Sequence, residues 1–461
     1  MKLEYSDFLK LNKSRIINPD ALKSARIDNV SVDSRKCGKN DLFIAIKGEA
    51  HDGHDYIEKM ISNGVRVFLA SKKWFFKHKI SNRKVSFILA DNTLKSMGEL
   101  AAIYRNKFLI PVIAVAGSNG KTSTKDFISN VLSFGYNVHN TKGNYNNAIG
   151  VPLTLFGLRE QHDMCVVEIG TNHFGEIENL CKIVQPQFGV ITNIGKEHLE
   201  FLKNIRGVVK EELALAGYLG KNFGTFFLNN DDKYLAKVKY GGGLKIFSYG
   251  SRGKTDVKGK IKGYKDFFPE IEIGFEKKKI SCTLKMLGKQ SFESALCSAA
   301  IGMFFEVPVN KIKKALSAYH VESKKRNELK KINNINILDD TYNSNPDSVK
   351  VALDNISKFK IKGETHIILG DMLELGKSSK KEHYVIGRYV KKLGYENLYT
   401  YGKESYQTFL GAKGVLNNFY FKDKPTLGEL LKMRLRKDDF VLVKGSRSMK
   451  MEDIIEIINN N

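Results

Sequence analysis

Short apolar runs alternate with stretches of helical period along most of the chain. In the middle of the sequence, "PVIAVAG", "DMCVVEIG", "FGVITNIG" and "GTFFLNND" read as strands, and helical patterns separate the first three. That βαβ order predicts a mostly parallel sheet with helices on its faces. The alternation returns nearer the end with "INILDD", "THIILGD", "NLYTYG" and "DFVLVKG", joined by helical stretches such as "PDSVKVALDNISKF". The first part mixes short strands and turns: "NVSVDSR", "DLFIAIKG", "GVRVFLAS" and "VSFILAD". The pattern predicts an α/β protein of three domains: a small mixed one over 1–90, a central one over 91–320 that opens with the helical "NTLKSMGELAAIYRNKF", and a third over 321–461. A length of 461 residues agrees, at about 150 residues per domain.

Composition changes this picture little. The formal net charge of +25 raises the question of nucleic acid. The lysines are spread through every segment, as in "KKWFFKHK", "GFEKKKI", "ESKKRNELKK" and "GKSSKKEH", and no basic helix with interleaved aromatics stands out, so no nucleic-acid partner is expected. The five cysteines, Cys37, Cys165, Cys181, Cys282 and Cys297, show neither metal spacing nor a disulfide framework, so reduced thiols are expected. The start, "MKLEYSDFLKLNKSR", has no apolar core, and no window nears the roughly 18 apolar residues of a membrane span. A soluble cytoplasmic protein is expected.

The candidate chemistry begins in "VIAVAGSNGKTSTKDF". An apolar strand enters a loop of Gly117, Ser118, Asn119, Gly120, Lys121 and Thr122, followed by Ser123 and a helical stretch. Backbone N–H groups and the helix N-terminus there suit the β- and γ-phosphates of a nucleotide, with Lys121 neutralising them and the Thr122 hydroxyl on Mg²⁺. The common phosphate loop, G-x-x-x-x-G-K-[ST], would have its first glycine where this chain has Val115. Two further groups fall at strand ends, where open parallel sheets bind ligands: Glu168 closes "DMCVVE", and His198 lies just past "FGVITNIG". Together they fit a two-metal site.

Seven stretches then occur in a telling order: "GSNGKTSTKD", "TKGNYNNAIGVPLTL", "VVEIGTNHFGEI", "ITNIGKEHLEF", "DDTYNSNPDS", "ILGDMLELG" and "LVKGSRSMKMED". They resemble the Mur ligases of peptidoglycan synthesis, whose phosphate loop has this short form. The similarity spans nearly the whole chain, including "SVDSR" and "GEAHDGHDYI" near the start. It implies a UDP-muramoyl substrate domain, a central phosphate-loop ATPase domain and a Rossmann-like C-terminal ligase domain. "DDTYNSNPDS" resembles the branch that joins D-alanyl-D-alanine to UDP-N-acetylmuramoyl-tripeptide, using ATP and Mg²⁺ through an acyl phosphate. A monomer is expected. The sister ligases that add a diamino acid to the muramoyl dipeptide carry D-N-P-R in the third domain, which is absent here. Folylpolyglutamate synthetase lacks the "SVDSR…GHDYI" first domain, and a non-catalytic nucleotide-binding protein is the alternative from another class.

The resemblance assigns roles residue by residue. Lys121 and Thr122 would hold ATP phosphate and the first Mg²⁺, Glu168 would be that metal's carboxylate, and His198 would bind a second Mg²⁺. Asp340 would contact the nucleotide, Asn343 and Asn345 would lie near the closure face, and Arg326 would reach the phosphates from the third domain. Ser31, Asp33, Ser34 and Arg35, with Asp52, Gly53 and His54, would line the UDP side. Asn144, Asn146 and Asn147 would follow the muramoyl channel, and Lys444, Gly445, Ser446 and Arg447 would face the active site.

Two departures from the family matter. Where it usually has G-x-H-N-x-x-N beside adenine, this chain has Gln290, Ser291 and Ser294. In most Mur ligases a lysine fourteen residues past the metal-binding histidine forms a carbamate that bridges metal; here that position is Glu212. Lys210 should point some 200° away at about 100° per residue, a poor substitute. Val208, Glu212, Leu215 and Leu219 share one stripe of a helix, so the Glu212 carboxylate is expected to be buried, to have a partner, and to supply as a side chain what relatives make from CO₂.

Overall fold

The strand Val112–Ala116 is buried along its length and pairs in parallel with Met164–Glu168 on one side and Phe188–Ile191 on the other. A strand covered on both faces and both edges requires an unbroken apolar run, and VIAVA supplies it. In the computed structural model, which describes every residue except 2, 50, 79, 81, 321–324 and 460–461, this strand lies within a nine-stranded sheet. From edge to edge the order is Lys278–Thr283, Phe268–Phe275, Val257–Lys265, Lys245–Gly250, Thr225–Asn229, Phe188–Ile191, Val112–Ala116, Met164–Glu168 and Val138–Asn140. All neighbours are parallel except in the last two hairpins at the Lys278–Thr283 edge. Those hairpins were not legible as strands: lysines and glycines alternate with their few buried residues, as in the VKGKIKGYK of Val257–Lys265.

The chain leaves Val112–Ala116 toward one edge of the sheet and returns to pair on its other side. The carboxyl ends of the strands flanking that reversal face one crevice, the place where open α/β sheets bind ligands. Gly117, Glu168 and the segment after Ile191 meet there.

A five-stranded sheet precedes this one, in the order Arg15–Ile17, Ser86–Ala90, Val67–Ser71, Asp41–Ile44, Asn29–Ser31, parallel except for the first pair. A six-stranded sheet follows, in the order Glu328–Ile332, Ile335–Asp340, Phe440–Lys444, Thr365–Gly370, Asn397–Tyr401, Asn417–Phe421, again parallel but for its first pair. The fold is therefore the mixed, mostly parallel α/β architecture expected, with three sheets. The helix Thr93–Arg105 starts from an Asn92 side-chain cap and packs on the central unit, where the Tyr104 hydroxyl donates to Leu158 O and the Arg105 guanidinium to Val184 O. The expected boundary between 320 and 321 borders 321–324, outside the described residues. All five cysteines are free thiols.

Candidate active site

The loop after Val112–Ala116 is shaped by two glycines in the left-handed region. Gly117 has φ +115°, and a Cβ there would stand 2.3 Å from Thr192 Oγ1. Gly120, at φ +77°, is the residue before the helix Lys121–Leu132. A side chain would be strained at either position. The segment after Ile191 pins the loop from outside: Asn193 Oδ1 accepts the Asn119 N–H (3.1 Å), Thr192 Oγ1 donates to Asn119 O (2.7 Å), and Ser118 Oγ accepts the Gly195 N–H (2.8 Å). The first-turn N–H groups of Lys121–Leu132 have no partners within the helix and point along its positive end, which makes a phosphate cradle. Ser123 is half-buried in that same turn.

Lys121 folds back on this loop, donating to Gly117 O (2.5 Å) and Ser118 O (3.4 Å), and Glu197 Oε2 is 3.6 Å from its ammonium. Burial pulls the Lys121 pKa down, but Glu197, Glu212 and Glu168 outweigh it and hold the group above its ordinary value; Arg326 is near enough to oppose them. Glu212 is fully buried. Its Oε2 accepts the Gly117 N–H at 2.7 Å, and its Oε1 has no partner. Burial first, then the Glu197 charge, pushes its carboxyl up to about 8, against the pull of Lys121 and the Gly117 N–H. Lys210 is exposed, as the helical geometry requires. Its neighbour Glu211 turns elsewhere and accepts the N–H groups of Gly175 and Ile177 at the start of the helix Glu176–Val184.

Glu168 is 1% exposed; its Oε1 accepts from Thr122 Oγ1 (3.2 Å) and Asn146 Nδ2 (2.8 Å), and its Oε2 is buried without a partner. Among the described residues no three His, Cys, Asp or Glu side chains gather as a metal cage. Mg²⁺ needs none, because it is typically held by one or two carboxylates together with phosphate oxygens and water. The free oxygen of Glu168 beside the Thr122 hydroxyl fits that ion. His198 lies apart, at φ +46°, with Nε2 3.9 Å from Glu197 Oε2 and Nδ1 2.5 Å from Glu374 Oε2.

Several expected contact residues also help to build the third unit. Lys444 is 2% exposed and donates to Asp340 Oδ2 (2.6 Å) and Asn343 O (2.9 Å), so its ammonium organises "DDTYNSNP" and is not open to substrate. Ser446 Oγ accepts the Leu373 N–H, Gly445 is buried, and Arg447 pairs with Glu452. Asn345 caps the helix Pro346–Ile356 through Oδ1 and donates through Nδ2 to Asn119 Oδ1 of the phosphate loop at 2.8 Å. Asn343 is exposed, with Oδ1 accepting the Ser344 N–H. Arg326 stacks on Tyr342 at 3.5 Å and faces Lys121.

In the first unit, Arg35 is exposed and paired with Asp33, Ser31 Oγ accepts the Asp33 N–H, and Ser34 is half-buried. Both ring nitrogens of His54 are engaged, Nδ1 with Asp52 (2.6 Å) and Nε2 with the Ser71 N–H (2.9 Å), so His54 braces its loop from within. Gly53 has no room for a Cβ, which would meet Ile46 N at 2.8 Å. Asn144 and Asn147 are exposed, and Asn147 Oδ1 accepts the N–H groups of Ile149 and Gly150 just before and at the start of the helix Gly150–Phe156. Asn146 lies at Glu168, close to the chemistry. A small pocket beside Gly120 is lined by Asn119, Asn229, Tyr249, Gln290, Glu293 and Ser294. Ser294 bonds Thr124 there, whereas Ser291 turns inward to Met286 O and Gly288 O. Two larger hollows, beside Ala214–Lys221 and around Phe304, include no residue of the phosphate loop in their lining.

Three family models match in order: "Mur ligase family, catalytic domain" over residues 26–105, "Mur ligase middle domain" over 115–302 and "Mur ligase, glutamate ligase domain" over 325–447. The UDP-N-acetylmuramoyl-tripeptide–D-alanyl-D-alanine ligase of Bacillus subtilis is 31% identical over 99% of this chain and 98% of its own length. This chain belongs to the Mur ligase family. The enzyme of the same name from Haemophilus influenzae is 30% identical, over 99% of this chain and 98% of its own. Among solved structures, MurF from Acinetobacter baumannii superposes with a TM-score of 0.89 at 26% identity, covering 99% of both chains. MurF ligase from Thermotoga maritima, solved in complex with ADP, shares the fold at a TM-score of 0.83 and 23% identity, over 95% of this chain and 97% of its own. Within this Mur ligase cleft, sequence reasoning missed Glu197 and Glu374. Both stood in stretches singled out for the resemblance, "GKEHLEF" and "ILGDMLELG", but each carries its meaning only through a contact made in space.

Proposed function

We propose that this chain is an ATP- and Mg²⁺-dependent ligase that joins D-alanyl-D-alanine to UDP-N-acetylmuramoyl-tripeptide. The observation that carries the reading is a single crevice in which the phosphate loop, the unpartnered oxygen of Glu168 and the "DDTYNSNP" segment of the third unit converge. The end-to-end likeness to enzymes of that name supports the choice of substrates. ATP phosphorylates the terminal carboxylate of the tripeptide, the amine of D-alanyl-D-alanine then displaces phosphate from the acyl phosphate, and Mg²⁺ offsets the charge that accumulates between carboxylate and phosphates.

In this reading Lys121 leaves Gly117 O for phosphate oxygen, Thr122 and Glu168 hold Mg²⁺, and His198 presents Nε2 to a second ion. Arg326 supplies positive charge from the third unit. Glu212 stands where relatives have the carbamylated lysine, and Asp340 contacts nucleotide beside Lys444. The domain over 1–90 takes the UDP-muramoyl end through Ser31, Ser34 and Arg35, with His54 bracing the loop. The domain over 91–320 takes ATP, and Asn144 and Asn147 follow the substrate. The domain over 321–461 closes the crevice, with Asn345, Lys444 and Ser446 shaping its lip. Closing it excludes water from the acyl phosphate and holds the amine beside it. The proposed working unit is a monomer. No helix among the described residues is long and apolar enough to cross a membrane, and the proposed setting is the cytoplasm, where ATP is supplied.

The test is ADP release by the purified chain with UDP-muramoyl-tripeptide, with and without D-alanyl-D-alanine. Pentapeptide product that requires all three substrates is expected. Product formed only from muramoyl dipeptide and a diamino acid would refute the assignment.

A further inference from the structure

The segment after Ile191 is gripped by acidic residues of the third unit. Asp347 Oδ2 accepts the Lys196 N–H at 2.6 Å, and Glu382 Oε1 pairs with the Lys196 ammonium at 2.5 Å. Glu374 makes two contacts of its own: its carbonyl accepts the Glu200 N–H at 3.1 Å, and its carboxylate stands 2.5 Å from His198 Nδ1, close enough to pair but off the line of an Nδ1–H hydrogen bond, so that a small turn of the ring would make one. Both partners sit in the left-handed region, His198 at φ +46° and Glu374 at φ +61°. Non-glycine residues are held there only where the surroundings over-determine them. The other imidazole nitrogen, Nε2, faces Glu197, which in turn faces Lys121 at 3.6 Å. A line of groups thus runs from the phosphate lysine through Glu197 and His198 to a carboxylate on the far side of the crevice.

We propose that Glu374 is the positioning residue of His198: docked from the third unit, it holds Nδ1 and turns Nε2 toward the phosphate loop. A carboxylate on the outer nitrogen fixes the tautomer and the ring plane of a metal-binding histidine, and losing such a partner typically lowers metal affinity about 10–100-fold. What this chain adds is that the partner belongs to a different unit from the histidine. The second-metal site is therefore complete only when the third unit is docked, and metal occupancy in turn favours the docked state, because linkage is reciprocal. The proposal rests on the reading of His198 as a metal ligand.

The experiment uses Mn²⁺ as the ion and a non-hydrolysable ATP analogue, with binding followed by the paramagnetic signal on the full chain. Wild type, Glu374→Ala, Glu374→Gln, His198→Ala and the double variant His198→Ala/Glu374→Ala are compared, with thermal melts to verify folding. Glu374→Ala is expected to weaken Mn²⁺ binding about tenfold. Glu374→Gln, which keeps an acceptor oxygen for Nδ1–H, should recover most of that loss. The double variant should bind no worse than His198→Ala alone, because Glu374 acts only through the ring. Unchanged Mn²⁺ affinity in Glu374→Ala, with His198→Ala weakened, overturns the positioning role and leaves the metal ligand standing. Unchanged affinity in His198→Ala overturns both.

Discussion

Glu212 belongs to one helix and acts on a loop nearly a hundred residues earlier. Its buried carboxylate accepts the N–H of Gly117, the residue at which the phosphate loop leaves its strand. Burial and the Glu197 charge favour its neutral form. A cation arriving at the unpartnered Oε1 favours the charged form, as opposite charge does for any buried acid. In the proposed reading such a residue would supply a carboxylate that needs no CO₂. Turnover is therefore expected to be the same in CO₂-depleted buffer with and without added bicarbonate, and Glu212→Gln, which keeps an acceptor for Gly117, should lose at least about tenfold in kcat. Strong rescue of the wild type by bicarbonate would mean that a lysine is carbamylated after all. Lys121→Ala is expected to lower turnover by at least about 100-fold through lost phosphate stabilisation. It should remain folded, because Glu212 answers the loss of its neighbouring cation by holding its proton more tightly. Circular dichroism and an ADP-release assay check the two halves, and unaltered ADP release from a folded variant would remove Lys121 from the chemistry.

The loop after Thr365–Gly370 is an element that a histidine helps to hold. His383, on the helix Ser379–Lys392, accepts the Met372 N–H at Nε2 (3.0 Å) and meets Ser379 O at Nδ1 (2.8 Å). Only the neutral ring with its proton on Nδ1 satisfies both. Burial lowers its pKa below 6.5, against the Ser379 carbonyl and the carboxylates of Asp371, Glu404 and Glu382. A lowered folded value means that its contribution to stability is present above 6.5 and is lost as pH falls through the folded value. Wild type should therefore lose more thermal stability than His383→Gln between neutral pH and pH about 5, and equal losses would refute the mechanism. This element also marks the limit of what the sequence reveals. Buried parallel strands announce themselves as apolar runs, and the phosphate loop was legible because all its parts are adjacent in the chain. The roles of Glu211, Glu374 and His383 depend on partners brought by folding, and no local spacing encodes them. Lys444 and Asn345 were singled out by the motif, but the contacts their polar atoms make in the crevice wall have no local signal either.

At the scale of the whole molecule, the central and third units meet directly at the phosphate loop. Asn345 holds Asn119, Asp347 and Glu382 hold Lys196, and farther out the Asn327 amide donates to Leu287 O and the Lys289 N–H to Asn355 Oδ1. Against the net charge of +25, the third unit presents Asp347, Glu374 and Glu382 at this seam to the loop carrying Lys196 and His198. Of these contacts the Asp347–Lys196 N–H bond is short and half-buried, and a hydrogen bond to a charged group contributes about 1.5–3 kcal/mol. Removing it with Asp347→Ala should shift the open–closed balance by about tenfold or more. When the binding-competent state is populated only in part, apparent affinity falls by the same fraction. The expected outcome is a larger radius of gyration by small-angle scattering without nucleotide, and a KM for ATP raised about tenfold with kcat much less affected. Asp347 also lies in the first turn of Pro346–Ile356, where an acid stabilises the helix by about 0.3–1 kcal/mol, so a modest drop in the melting temperature accompanies the change. A variant that melts lower but keeps the compact radius and the wild-type KM would show that Asp347 serves its own helix, and that the grip on Lys196 does not hold the crevice closed.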